Sequence, residues 1–303
     1  MVPTAFLVTV AVFLLIHLTP GDPATVILGE SYTPEAAAQI HNDLGLDRPL
    51  PQQYLLYIGR LFHGDLGHSV RNKLPVTQAI GERVAATLEL GFAALLWSLI
   101  VAIPLGTLAA LRRGRAPDLV ASGLTVAGIS VPNFVVGILL ILFFGLVLRV
   151  LPVGGFVAVG DSLPDNLSRL IMPAIALGTF GAASNMRFTR SSMIEVLNQD
   201  YIRTARAKGA GSWRVINRHA LKNALIPVVT IVGLQVGAIL EGALVTETVF
   251  SWPGVGKLAV ESIFSKDFPV VQGIVLLSAL SYMFANLLVD LVYAWLDPRI
   301  SYS

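Results

Sequence analysis

Four carboxylates, Glu89, Glu241, Glu247 and Asp290, fall inside or at the ends of long apolar runs. A charge there is costly unless it is paired or wet, so each calls for a role. Glu241, about two turns before the outer end of its run, is placed to face a polar path and attract an amino group or a cation. The alternative is a hydrogen bond to a neighbouring helix. Glu247 and Asp290 suit span ends as anchors or caps, and Glu89 suits a pairing with a basic group nearby. His63 and His68 stand five apart in HGDLGH, flanked by glycine and with no third clear ligand. They read as surface or packing histidines rather than a metal site.

The usual catalytic signatures are missing. Neither G-x-S-x-G nor H-E-x-x-H occurs, and with no cysteine in the chain neither thiolate chemistry nor disulfides are available. Gly254, Val255, Gly256 and Lys257 are followed by Leu258 and lack the first glycine of a phosphate-binding loop. The expectation is a chain with no catalytic residue, no cofactor and no metal of its own.

The remaining chemistry is that of a docking surface. DYIRTARAKGAGSWRVINRHALKNALIP, residues 200–227, is polar and basic and lies between two apolar runs. Tyr201 to Ala207 reads as a helix of good helix formers, Gly209 and Gly211 as a break, and Trp213 to Leu225 as a second helical stretch ending at Pro227. A mere connector between spans needs only a handful of residues, so a segment this long with defined structure implies a partner. Ala205 and Ala207 would permit close approach, and Gly209 would let the chain turn without a clash. The alternative is that the basic residues here are only a topology signal that touches anionic lipid, but charge alone would not need the ordered alanine, glycine and aromatic pattern around them.

The elements that must hold this segment are membrane spans. The chain is 54% hydrophobic and 13% charged, with its apolar residues gathered in blocks long enough to cross about 30 Å of hydrocarbon. Six such blocks run approximately over Val2 to Leu18, Ala85 to Leu111, Leu119 to Leu148, Leu170 to Met186, Ile226 to Val249 and Gly273 to Trp295. None alternates with period two, which argues against a barrel. Twelve basic and four acidic residues fall in the loops of one side, against nine and eleven on the other, so the first side is cytoplasmic, with both termini inside. The first block begins almost at Met1 without a basic residue ahead of it, and LTPGDPA offers no small-x-small cleavage site. It reads as a signal-anchor whose assigned start falls late.

The fold class expected is therefore all-α and polytopic, with about six transmembrane helices. Residues 1–18 form the first span, 19–83 an external cap of short helices, and 84–303 a five-helix core with a cytoplasmic loop at 187–225. In the cap, PEAAAQI has a helix start at its proline and Gly45 closes it. Pro104, Pro132 and Pro173 lie inside apolar runs, where each favours a kink. Trp252 sits at the level of an interfacial anchor, and Pro253 and Gly254 suit a sharp reversal.

YIRTARAKG followed by RHALKNALIP resembles the cytoplasmic coupling loop of binding-protein-dependent ABC importer permeases of the type I fold. The similarity is to the branch that handles dipeptides, oligopeptides, glutathione and nickel. HLTPGDPA, LGLDRPLPQQY, GDLGHS, RFTRSSM, ETVFSWPGVGKL and NLLVDLVYAWLDPRI resemble the same branch, so the likeness covers nearly the whole chain. The general pattern of an acidic residue, two alanines, three residues and a glycine reads here Arg203, Thr204, Ala205 and Gly209. The role of that acidic residue does not pass to Arg203.

The resemblance implies a permease subunit in a bacterial inner membrane that imports peptides and forms half of a translocation path. Its partners would be a second homologous permease, two cytoplasmic ATPase subunits that bind the ATP and magnesium, a periplasmic or lipid-anchored solute-binding protein, and membrane lipid, but no nucleic acid. ATPase coupling would fall on Tyr201, Thr204, Ala205, Arg206, Ala207, Lys208 and Gly209, and Glu241 would line the path. A nickel-importing permease of the same branch is the nearest alternative. A stand-alone secondary transporter or channel is the alternative from another class, and it would have no use for a long cytoplasmic docking segment.

Overall fold

The computed structural model describes residues 2–17, 23–29, 32–237 and 239–296, and its regular elements there are all helical, as the apolar blocks predict. In chain order they are α1 (Val2–His17), α2 (Pro23–Leu28), α3 (Pro34–Leu44), α4 (Leu50–Phe62), α5 (Val76–Leu111), α6 (Ala116–Ser130) and α7 (Asn133–Leu140). There follow α8 (Leu163–Leu197), α9 (Asp200–Ala207), α10 (Ser212–Arg214), α11 (Leu221–Ala224), α12 (Ile226–Gly237), α13 (Ile239–Val249), α14 (Val255–Phe264) and α15 (Phe268–Leu296). Wider π-type turns continue α7 through Ile141–Val147 and join α10 to α11 through Val215–Ala220.

Among the described residues three helices, α5, α8 and α15, are long and apolar enough to cross a membrane, and five spans result if each of two bent pairs counts as one. The first expected block falls on α1, which at 16 residues rises only about 24 Å. The block expected from Leu119 to Leu148 is two helices meeting at 104°. The cause is Pro132, which forces Val131 into an extended conformation (φ −90°, ψ 123°) and ends α6 one residue earlier. Pro104 and Pro173 carry the same signal, yet α5 and α8 run through them unbroken. A second bend, of 47°, separates the α10–α11 segment from α12 at Leu225.

Contacts divide the chain into two units, Met1–Thr87 with Pro253–Phe284, and Leu88–Trp252 with Ala285–Ser303. In the first, the short helices expected between the first two apolar blocks are α2, α3 and α4. Gly45 closes α3 at φ 64°, and α4 lies on α1 through the Thr9 and Tyr54 hydroxyls at 2.7 Å and His17 Nε2 and Gln53 Oε1 at 2.8 Å. Asp267, buried just ahead of α15, accepts from the Ser69 hydroxyl and from the backbone N–H of Val70 at 3.1 Å, fastening the turn at 69–74. In the second unit α8 is central. It begins where the Ser162 side chain accepts from Asp165 N and proline occupies the first turn. Its buried alanines, Ala174, Ala176, Ala182 and Ala183, let α6 and α7 approach closely.

Candidate functional site

The basic segment folds as a small helical platform. α9 buries Ile202 completely against Met193, Val215, Ala220, Ala224 and Ala110, and half-buries Ala205 in the same cluster. Ile202 and Ala205 are three apart and so share one face of the helix. Tyr201, Arg203, Thr204, Arg206, Ala207 and Lys208 are exposed on the remainder. The Tyr201 hydroxyl accepts from Asn223 Nδ2 at 2.9 Å, tying α9 to α11, and Thr204 Oγ1 donates to the Asp200 carbonyl at 3.0 Å.

The end of α9 is fixed by backbone geometry. Gly209 has φ 82° and donates to Arg206 O at 2.9 Å, while Ala210 N donates to Ala205 O at 3.1 Å. This pair of bonds around a left-handed residue is a Schellman stop, and the accompanying apolar contact is supplied by Ala205 and Ala210 in the shared cluster. A Cβ on Gly209 would meet nothing within 4 Å, so the glycine answers to the backbone angle and not to a crowded neighbour. Of the expected coupling residues, Ala205 therefore faces the chain's own interior, and the surface open to a partner is made by the others. Of the loop expected at 187–225, residues 187–197 continue α8 as helix and the platform follows from Asp200.

Close by in the same unit, Asp118 and Arg190 form a bidentate pair that the sequence reading did not single out. Arg190 Nε donates to Asp118 Oδ1 at 2.5 Å and Nη2 to Oδ2 at 3.0 Å, and Gly114 N adds a third bond to Oδ2 at 2.8 Å. The pair clamps the first turn of α6 to α8, seven residues before α8 ends.

Glu89 accepts from the side-chain amide of buried Asn166 at 2.6 Å, an amide partner where a basic one was expected. Glu247 is completely buried in the last turn of α13, with its carbonyl accepting from Trp252 N at 2.8 Å. Trp252 is itself buried, edge-to-face with Phe156 at 4.8 Å, which makes it a core residue rather than an interfacial anchor. Just before it Ser251 takes φ 53°, and α14 starts at Val255. His63 Nδ1 bonds the Gly59 carbonyl at 2.8 Å, and His68 bridges to Pro75 through its backbone. Glu241 falls within α13 and Asp290 within α15, and both side chains lie outside the described residues.

Three polar side chains meet where α5, α8 and α12 pack. Asn185 Nδ2 donates to Ser98 Oγ at 2.9 Å and to Gln235 Oε1 at 3.0 Å, and Gln235 Nε2 returns a bond to Asn185 Oδ1 at 3.2 Å. Asn185 and Ser98 are buried. A polar residue in the middle of an apolar run was the available signal, and it was passed over in favour of the carboxylates.

Long apolar helices, a proline-bent helix pair and a basic platform held on its own core define a class, that of polytopic α-helical membrane proteins with a folded basic segment among their helices. Residues 102–302 match the family described as binding-protein-dependent transport system inner membrane component, and residues 2–91 match its companion N-terminal family. The chain is 45% identical over 326 residues to the dipeptide transport system permease protein of Escherichia coli strain K12, covering 100% of this chain and 96% of that protein. It is 42% identical over 303 residues, with the same coverages, to the glutathione transport system permease proteins of Salmonella choleraesuis strain SC-B67 and of Pectobacterium atrosepticum. The chain belongs to the binding-protein-dependent transport system inner membrane component family. The ABC importer permease recognised in its motifs and the all-α polytopic fold are both borne out.

Proposed function

We infer that this chain is a permease subunit of an ATP-driven importer of peptides, dipeptide or oligopeptide or glutathione, in a bacterial inner membrane. Cargo is argued from the names of its full-length relatives. The observation that carries the coupling is α9, a two-turn helix locked at its inner face and its C-terminus, whose outer face is left bare. Such a helix moves as a rigid body when a partner pushes on it, and α8 and α12 on either side carry the movement into the spans. The chain supplies half of the path, and a second homologous permease supplies the other half. Two separate ATPase subunits hold ATP and magnesium and dock on Tyr201, Thr204, Arg206, Ala207, Lys208 and the turn at Gly209. A periplasmic or lipid-anchored solute-binding protein delivers cargo, and Glu241 is a path residue. The excess of basic residues in the loops around α9 supports a cytoplasmic position for this platform and for both termini.

The test is uptake by proteoliposomes holding the chain with its second permease and ATPases. Labelled dipeptide or glutathione should accumulate only with ATP on the ATPase side and binding protein on the other. Accumulation without ATP would instead identify a stand-alone transporter.

A further inference from the structure

Two of the three polar side chains at the meeting of α5, α8 and α12, Ser98 and Gln235, border a cavity of about 190 Å³. It lies beside residues 91–98 and 177–181, at half the length of both α5 and α8, so in a bilayer it sits near the depth of the midplane. Among the described residues its polar lining is Ser98, Asn133 and Gln235, the rest of the wall is glycine, alanine, leucine and phenylalanine, and no charged side chain lines it.

Counting donors and acceptors shows what this wall leaves open. Asn185 uses both amide protons and its carbonyl within the trio. Gln235 uses one N–H and one lone pair of Oε1, and among the described residues its second N–H and second lone pair have no partner. Ser98 Oγ accepts from Asn185, and among the described residues its own proton has no acceptor. At hydrocarbon depth such groups are costly unless something polar meets them. Gly181 keeps the space clear, because a Cβ there would lie 3.2 Å from Ser98 Oγ and 3.6 Å from Gln235 Oε1.

We propose that this cavity is a subsite on the transport path that takes one backbone amide of the peptide, its C=O accepting from Gln235 Nε2 or Ser98 and its N–H donating to Gln235 Oε1. The match is one of chemistry. The paired donor and acceptor of Gln235 fit an amide, and the described part of the wall offers neither the counter-charge a peptide terminus needs nor the imidazole and carboxylate set a nickel ion prefers. At about 190 Å³ it holds one amide unit and its neighbours rather than a whole ligand. The proposal rests on the peptide-importer reading and deepens it.

The experiment uses the complete reconstituted complex at saturating binding protein, so that capture does not limit the rate. Uptake of alanyl-alanine is compared with that of alanyl-N-methylalanine, whose amide has no N–H. The intact complex should carry the N-methyl peptide at least about fivefold more slowly, because Gln235 Oε1 loses its donor. With Gln235→Met the parent peptide should slow and the preference should fall towards one. Gly181→Val leaves both amides in place and fills the cavity, so it should slow both peptides by about tenfold in complexes that still copurify. Equal rates for the two peptides in the intact complex would overturn the subsite, as would an unchanged preference in Gln235→Met or full uptake by Gly181→Val. If Gln235→Met fails to assemble, the intact complex and Gly181→Val still decide. No uptake of any peptide by the intact complex would overturn the importer reading itself, and the subsite with it.

Discussion

Asp118 and Arg190 show how one charge pair is kept at the head of a span. The Asp118 carboxylate takes two guanidinium bonds and one from Gly114 N, so the desolvation of a buried anion is offset by three donors held in place. Removing Arg190 leaves Asp118 buried without a counter-charge, whereas removing Asp118 leaves an arginine that is partly in contact with solvent. Arg190→Met should therefore lower stability by roughly 3 kcal/mol and Asp118→Asn by less, each read as a fall in the thermal midpoint of the purified chain. The exchange Asp118→Arg with Arg190→Asp should recover part of that loss, while equal losses in the single and double variants would show that the pair acts through packing alone. The sequence reading missed it for a physical reason. The partners are 72 residues apart, no local pattern links them, and Asp118 stands one residue outside the apolar block as drawn.

The platform built on α9 depends on which way its residues point. Ile202→Ala removes a completely buried side chain from the cluster and should cost roughly 2–5 kcal/mol locally. Gly209→Ala forces a side chain into a left-handed backbone and should cost about 1 kcal/mol, without a steric clash to add to it. Both should raise amide hydrogen exchange across residues 200–210, with Ile202→Ala the larger effect. Arg206→Glu, on the exposed side, should leave exchange there as it was. Faster exchange in Arg206→Glu than in Ile202→Ala would mean the inner and outer faces are assigned the wrong way round. The helix itself was legible from DYIRTARA and the glycine behind it, because helix formers and a stop signal are local. Its facing was legible only in part: the spacing of Ile202 and Ala205 marks one side, but which side is buried depends on Val215, Ala220 and Met193 arriving from elsewhere. Proline divides in the same way. Pro132 breaks its run and Pro104 and Pro173 do not, since one lost backbone bond ends a helix only when neighbouring packing does not hold it straight.

At the scale of the whole molecule, the chain combines spans that meet lipid with a platform that offers a surface to something else. Apolar block lengths made the polytopic class legible, and motifs spread along the chain made the family legible, because both are recorded residue by residue. The two units, the bend at Val131 and the burial of Trp252 were not, since each depends on which segments come together. An aromatic next to a span end reads as an interfacial anchor until Phe156 is found against it. Docking of ATPase subunits on the outer face of α9 can be read from copurification out of gently solubilised membranes. The intact chain and the doubly substituted Arg206→Glu, Ala207→Glu chain are each recovered, and their companions are identified by mass spectrometry. A second permease should accompany both chains and ATPase subunits the intact chain alone, whereas ATPases recovered equally with both would rule out docking on that face.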